Sequence, residues 1–179
     1  MRASLGVALL VLAGCAGTPP AADAPRSGQV GVRDITAAAP ADARLTLAGN
    51  ETYQAPLPAR DNALPAYPAA LLPQALPPRA VCVQVGIGED GRVIGTAPVA
   101  GSADCPELAA DARLFFDAAS AATMAWRFEP AFRCVFDRVP EPNESCGTDG
   151  TREVPQAVSL VYRFVFEQVD GRGTVRVGE

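Results

Sequence analysis

Late in this chain Val158, Leu160, Tyr162, Phe164 and Phe166 alternate with Ser159, Arg163 and Glu167. Successive residues of a strand point to opposite faces, so this run makes a strand with one large apolar face and one mixed face. A strand of that kind is stable only within a sheet whose apolar face is covered by a second layer. The rest of the sequence has to supply both the neighbouring strands and the cover.

The neighbours come first in the chain. In Ala80-Val81-Cys82-Val83-Gln84-Val85-Gly86-Ile87 the residues Val81, Val83, Val85 and Ile87 fall on one face. Glu89-Asp90-Gly91-Arg92 follows with turn chemistry, because Asp tolerates turn conformations and Gly takes positive φ without steric cost. Residues 93–99 then return as the second strand of a hairpin. The cover follows the hairpin. Pro106 suits the first position of a helix, with Asp104 or Cys105 as its cap. Leu108, Ala112, Phe115, Phe116, Ala119, Ala122, Thr123 and Trp126 recur at spacings of three and four, while Glu107, Asp111, Arg113, Asp117 and Ser120 take the opposite side. Hairpin, long helix and last strand together predict an α+β domain: a three-stranded antiparallel sheet in a split β-α-β arrangement, with the first strand between the other two and the helix on one face.

Cysteine usage narrows the compartment. Of five cysteines, Cys82, Cys105, Cys134 and Cys146 lie within or beside this domain. An even number in an oxidising compartment points to two disulfides with three possible pairings. The sequence-local pairing, Cys82 with Cys105 and Cys134 with Cys146, is favoured because each bridge then closes one loop within one structural unit. A four-cysteine zinc site is the rival, although there is no Cys-x-x-Cys pair. Between Phe132 and Val154 the acids Asp137, Glu141, Glu144 and Asp149 invite a calcium reading. They lack the ligand spacing of a calcium loop, so this segment, with a cysteine-bearing insertion at 133–153, reads as a solvated loop with no metal and no cofactor.

Composition excludes much chemistry. All fifteen cationic side chains are arginine and there is no histidine, so imidazole bases, Ser-His or Cys-His nucleophile pairs, Schiff-base lysines and His-ligated metals are absent. The arginines are scattered and the formal charge is −5, which gives no basic footprint for nucleic acid.

The N-terminus explains the fifth cysteine. A positive start at Arg2, the apolar run at 5–12 and small residues ahead of Cys15 have the layout of an export signal, and the run is too short to span a bilayer. Leu12-Ala13-Gly14-Cys15 resembles the lipobox of bacterial lipoproteins, which implies cleavage before Cys15 and lipid on its sulfur. A further amide-linked acyl chain, as in such lipoproteins, makes the anchor stable. An ordinary signal peptide with a chance cysteine at its cleavage site is the alternative. Ala16 stands where an aspartate would favour inner-membrane retention, so the expectation is the periplasmic face of the outer membrane, with the periplasmic face of the inner membrane as second choice. Cleavage leaves 179 − 14 = 165 residues, and with Arg2 removed the side-chain charge is 14 − 20 = −6. Residues 15–63, rich in Ala, Pro and Gly, read as a tether. Within it Val30 and Val32, then Leu45 and Leu47, alternate weakly as candidate added strands. The domain is expected at 64–168 and a loose Gly-rich tail at 169–179.

The order of motifs in the domain resembles the C-terminal domain of TonB, the periplasmic protein that engages outer-membrane transporters. The residues that carry the resemblance are Pro65-Ala66-Tyr67-Pro68 before a short helix, Asp90-Gly91-Arg92-Val93 at the hairpin, Trp126-Arg127-Phe128-Glu129-Pro130 after the long helix, and the alternating last strand. The resemblance implies that the last strand has a free edge to which an extended segment of a partner adds as another strand, at Ser159, Leu160, Val161, Tyr162, Arg163, Phe164 and Val165. An unpaired sheet edge offers N–H and C=O groups suited to that mode. Two positions depart from the family. Leu64 stands where it usually has glutamine, and a cleaved lipid signal replaces the N-terminal transmembrane helix, so energy transduction is not implied.

Three functions follow. The first is a non-enzymatic envelope module that binds an outer-membrane transporter or another periplasmic protein through the sheet edge, with no small-molecule substrate. The second is a structural or assembly lipoprotein without a peptide partner, its edge covered by the tether or the cysteine loop; a transport accessory role is a narrower variant of the first. The third, an enzyme, needs Asp111, Asp117 or Glu129 for acid-base work, yet these read as a solvated helix face. The anchor has its own test: labelling with a radioactive fatty acid is expected in the native chain and lost in Cys15→Ser, and equal label in both would remove the lipid reading.

Overall fold

The computed structural model describes residues 28–34, 46–142 and 144–168. The expected export signal with Cys15, residues 16–27 and 35–45 of the expected tether and the expected tail at 169–179 lie outside the described residues. In chain order the elements are β1 (Gly28–Asp34), β2 (Glu51–Gln54), β3 (Leu57–Pro58), β4 (Arg79–Ile87), β5 (Val93–Val99), α1 (Arg113–Met124), β6 (Phe128–Glu129), β7 (Ala131–Phe136), β8 (Thr151–Gln156) and β9 (Val158–Gln168). They form a four-stranded sheet in the order β1-β9-β4-β5, a three-stranded sheet in the order β2-β7-β8, and the short pair β3-β6, with every pairing antiparallel. The fold is thus α+β, with the hairpin's first strand lying between the second and the last.

The alternation in the sequence explains the main layer. On β4 the residues Val81, Val83, Val85 and Ile87 are buried, and on β9 Leu160, Tyr162, Phe164 and Phe166 are buried beside them. The register sets Val81 opposite Phe164, Val83 opposite Tyr162 and Val85 opposite Leu160, so the two apolar faces coincide. Phe115 and Ala119 of α1 cover this face, joined by Tyr67 and Leu71 from the segment before β4. The rings of Tyr67, Phe115 and Phe166 meet with centroids 5.0 to 6.2 Å apart. Trp126 stands edge-on to Tyr162 at 5.1 Å, and its indole N–H donates to the Ala63 carbonyl at 2.7 Å. Each such aromatic pair adds about 0.5 to 1.5 kcal/mol beyond area burial.

The turn of the hairpin is tied to the chain that leaves the helix. Asp90 Oδ1 accepts from the Arg92 N–H at 3.0 Å, and Gly91 takes φ of 76°. The Phe128 N–H donates to the Gly91 carbonyl at 2.9 Å, and a side chain at 91 would put its Cβ only 2.0 Å from the Phe128 carbonyl oxygen. Glycine is therefore required twice, for its dihedral and for the close approach.

Four expectations are corrected. The main sheet has four strands rather than three, because β1 adds to β9. The tether does not run to residue 63: β2 pairs with β7, β3 pairs with β6, the Ala59 N–H donates to the Arg127 carbonyl, and the Arg127 N–H donates to Asn62 Oδ1. Residues 133–153 are not a plain loop, since β7 and β8 build the second sheet around buried Ala131, Cys134 and Phe136. Burial there follows a spacing of three and then two, which hides the strand from a period-two search. Finally, helix does not start at Pro106. Ala109 is extended, a single 3-10 turn spans Ala110–Ala112, and α1 begins at Arg113, because Cys105 is held against the sheet by its bond to Cys82. The bridges are Cys82–Cys105 and Cys134–Cys146, with Cα atoms 5.6 and 5.2 Å apart.

Gly91→Ala is expected to lower unfolding free energy by about 2 to 4 kcal/mol, given the clash and the positive φ together. Urea denaturation measures this, and a loss under about 0.5 kcal/mol, the range of an ordinary surface change, would show that the turn does not press on Phe128.

Candidate protein-binding edge

β9 is the longest strand of the described chain and positions every residue proposed from the sequence to meet a partner. Leu160, Tyr162 and Phe164 point into the core, whereas Ser159, Val161, Arg163 and Val165 lie on the opposite face and are exposed or half-buried. That opposite face is fixed locally. Cys82 and Arg163 are register partners, the disulfide draws the 100–105 loop over them, and Arg163 Nε donates to the Asp104 carbonyl at 3.0 Å. At the far end, the Gln168 amide donates to Tyr67 Oη at 3.1 Å and to the carbonyls of Leu71 and Leu72 at 3.2 and 3.3 Å. β9 is therefore held on both faces and at its C-terminal end.

Its two sides differ in origin. One is paired with β4 from Arg79 to Ile87. The other is not open over residues 162–165, which corrects in that part the expectation of a free edge at residues 159–165. β1 runs antiparallel along it, from Gly28 opposite Gln168 to Asp34 opposite Tyr162. A bare edge leaves a row of N–H and C=O groups as a template for other chains, and a segment of the same chain removes that liability. β5, at the other side of the sheet, carries Pro98, which has no N–H to offer an incoming strand. The weak alternation of Val30 and Val32 was the available signal for β1; Leu47, in contrast, lies outside any strand and is exposed.

The cysteine-bearing segment carries a two-point ion pair. Arg138 meets Glu144 through two nitrogen-oxygen contacts of 2.6 and 2.8 Å, and the Glu141 backbone N–H donates to the same carboxylate at 2.9 Å. The guanidinium hydrogen bond, and then the Glu141 N–H, hold the Glu144 carboxyl down at about 2. A carboxylate committed in this way is a loop clasp, reinforced where Thr52 donates to the Glu144 carbonyl at 2.7 Å. Partial burial raises the Tyr53 phenol above its ordinary value. Among the described residues no cluster of three or more His, Cys, Asp or Glu side chains is placed to hold a metal ion. Of the carboxylates considered for acid-base work, Asp117 pairs with Arg113 on the exposed side of α1 and Glu129 is exposed on β6. No helix among the described residues is long and apolar enough to cross a membrane.

Neither Arg163 as a loop anchor nor Gln168 as an end clamp was legible in the sequence, since both act through distant backbone carbonyls. The chain matches no family model, no curated protein and no solved structure.

The Glu144 carboxyl is depressed from 4.5 to about 2, so its contribution to stability is complete above the unfolded value and lost as pH falls through the folded one. NMR titration is expected to place its midpoint near 2 in the native chain and in the ordinary glutamate range in Arg138→Gln. An ordinary midpoint in the native chain would mean that the clasp is not formed in solution.

Proposed function

We propose that this chain is a lipid-anchored envelope lipoprotein whose folded domain is a protein-binding module of the TonB C-terminal type, taking up an extended segment of a periplasmic or outer-membrane protein by strand addition and transducing no energy itself. The observation that carries the reading is the pairing of β1 with β9: this side of the sheet accepts an added strand along the whole length of β1. β1 is supplied from far away in sequence, and Gly28, Gly31 and Asp34 are residue types of low strand propensity. A partner segment richer in β-branched or aromatic residues can take its place, forming the same backbone hydrogen bonds and packing larger side chains against β9. The likeness to TonB is supported by how its scattered sequence motifs meet: Gly91 against Phe128, Trp126 against Tyr162, and Tyr67 against Phe115. In this reading lipid on Cys15 holds the module at the periplasmic face of the outer membrane.

The occupied edge also favours a second reading, a structural lipoprotein in which β1 never leaves and no peptide partner exists. A photo-cross-linker at Val165, on the face away from the core, separates the two in living cells. Strand addition predicts a discrete adduct with an envelope protein whose yield rises when residues 28–34 are deleted. No adduct in either form, with both disulfides formed, would remove the binding role and leave the structural one.

A further inference from the structure

The second sheet uses its two faces differently. Thr52, Cys134 and Glu153 share one face, since Cys134 is the register partner of the other two. That face lies under the chain's own loop at 137–150. The Cys134–Cys146 bridge ties the loop down, Thr52 donates to the Glu144 carbonyl, and the Arg138 guanidinium sits 5.7 Å from the centre of the Phe136 ring.

The opposite face holds two rows of three residues. Side chains alternate along a strand, so the register places Glu51, Val135 and Arg152 in one row across the three strands and Tyr53, Arg133 and Val154 in the next. Each of the six is exposed or half-buried. They include two cations and one anion. Arg133 Nη1 meets Glu51 Oε1 at 3.3 Å, while the other Glu51 oxygen accepts from the Ala48 N–H at 2.9 Å. Arg133 Nε is buried with no hydrogen-bond acceptor, and among the described residues no carboxylate lies within ion-pair distance of Arg152. Arg152 is the diagonal neighbour of Arg133 on the adjacent strand, and such neighbours lie about 7 to 8 Å apart. Like charges at that spacing repel, whereas a carboxylate set between them accepts from both guanidinium forks. A chain of formal charge −5 thus keeps a locally positive spot, bordered by an aromatic ring and two valines.

The size of the face limits its occupant. Three strands span roughly 10 Å between their outer axes and two rows add about 7 Å along them, so with side-chain width the face measures on the order of 200 Å². Pairing of two copies in a stable dimer needs about 800 Å² from each partner, which this face alone does not offer. An anionic membrane is recognised by clusters of about four or more basic residues, and here two stand beside an acid. The edges of the sheet do not compete for a partner, because the N–H groups of Glu51 and Thr151 are bonded within their own turns and Pro155 has none.

We propose that this face of the β2-β7-β8 sheet docks a short extended segment of another protein, which sets one carboxylate side chain between Arg133 and Arg152 and flanks it with apolar side chains resting on Tyr53, Val135 and Val154. The site is separate from the β9 edge and does not depend on strand addition there. Arginine suits this task because its planar fork binds a carboxylate through two parallel hydrogen bonds.

NMR of the full mature chain carrying Cys15→Ser, which keeps the polypeptide whole without an anchor, tests the proposal. The probe is the capped peptide acetyl-Phe-Thr-Glu-Thr-Val-amide, whose alternate side chains put Phe, Glu and Val on one face. Titration to about 10 mM is expected to give saturable shifts at Tyr53, Val135 and Val154, with the version carrying Gln for Glu binding about fivefold or more weakly. Arg133→Gln should weaken the acidic peptide by about fivefold. Should that variant fail to fold, Arg152→Gln alters an exposed side chain, and the same loss is expected there with the melting temperature unchanged. Equal binding of the two peptides, shifts confined to β9, or no saturable shift at all would overturn the proposal. So would vesicles of phosphatidylglycerol that shift these residues while the peptide does not.

Discussion

The pairing of β4 with β9 is the contact from which the other features of the structure follow. It sets Val81, Val83, Val85 and Ile87 beside Leu160, Tyr162, Phe164 and Phe166, a continuous apolar surface that is stable only when covered. Phe115 and Ala119 of α1, with Tyr67 and Leu71, supply the cover. On the opposite face the same register puts Cys82 beside Arg163, and from there the disulfide to Cys105 and the hydrogen bond to the Asp104 carbonyl hold the loop ahead of α1. One register thus determines both the packing of the helix and the path by which the chain enters it.

The same pair creates the problem that the functional reading turns on. A central β4 leaves β5 and β9 as outer strands, and a long outer strand with intact backbone donors recruits other chains. The two sides are treated differently. β5 carries Pro98 in its own sequence, whereas β9 contains no proline and is covered by β1. A built-in block is permanent, and a separate covering strand can be exchanged. That asymmetry is the reason the proposed strand addition is assigned to the β9 side.

Legibility followed pattern length. Strand β9, the β4-β5 hairpin and the core-facing positions of α1 were readable because each repeats one period over several residues. The local pairing of cysteines was readable because each bridge closes a short span. The second sheet was not. Its buried residues Ala131, Cys134 and Phe136 keep no strand period, and its third strand, β2, comes from the Pro-rich stretch before the domain. The start of α1 was misplaced because Pro106 is a good first helical residue by local rules, yet Cys105 is tied to Cys82 and a tertiary constraint outweighs a local preference. The open edge expected at residues 159–165 is closed by β1 over residues 162–165, and the only trace of β1 was two valines. Gly91 shows the opposite case. Its turn was legible, but its second duty, admitting the Phe128 carbonyl, becomes visible only when distant segments are brought together.

The central claim is that β1 is a docked strand that detaches separately from the sheet it completes. Native-state hydrogen exchange of the intact chain under increasing denaturant measures this directly. The account predicts that residues 28–34 are protected but open in a local step, well below the free energy at which the β9 amides bonded to β4 exchange. Exchange of residues 28–34 together with β9, in one global step, would contradict it.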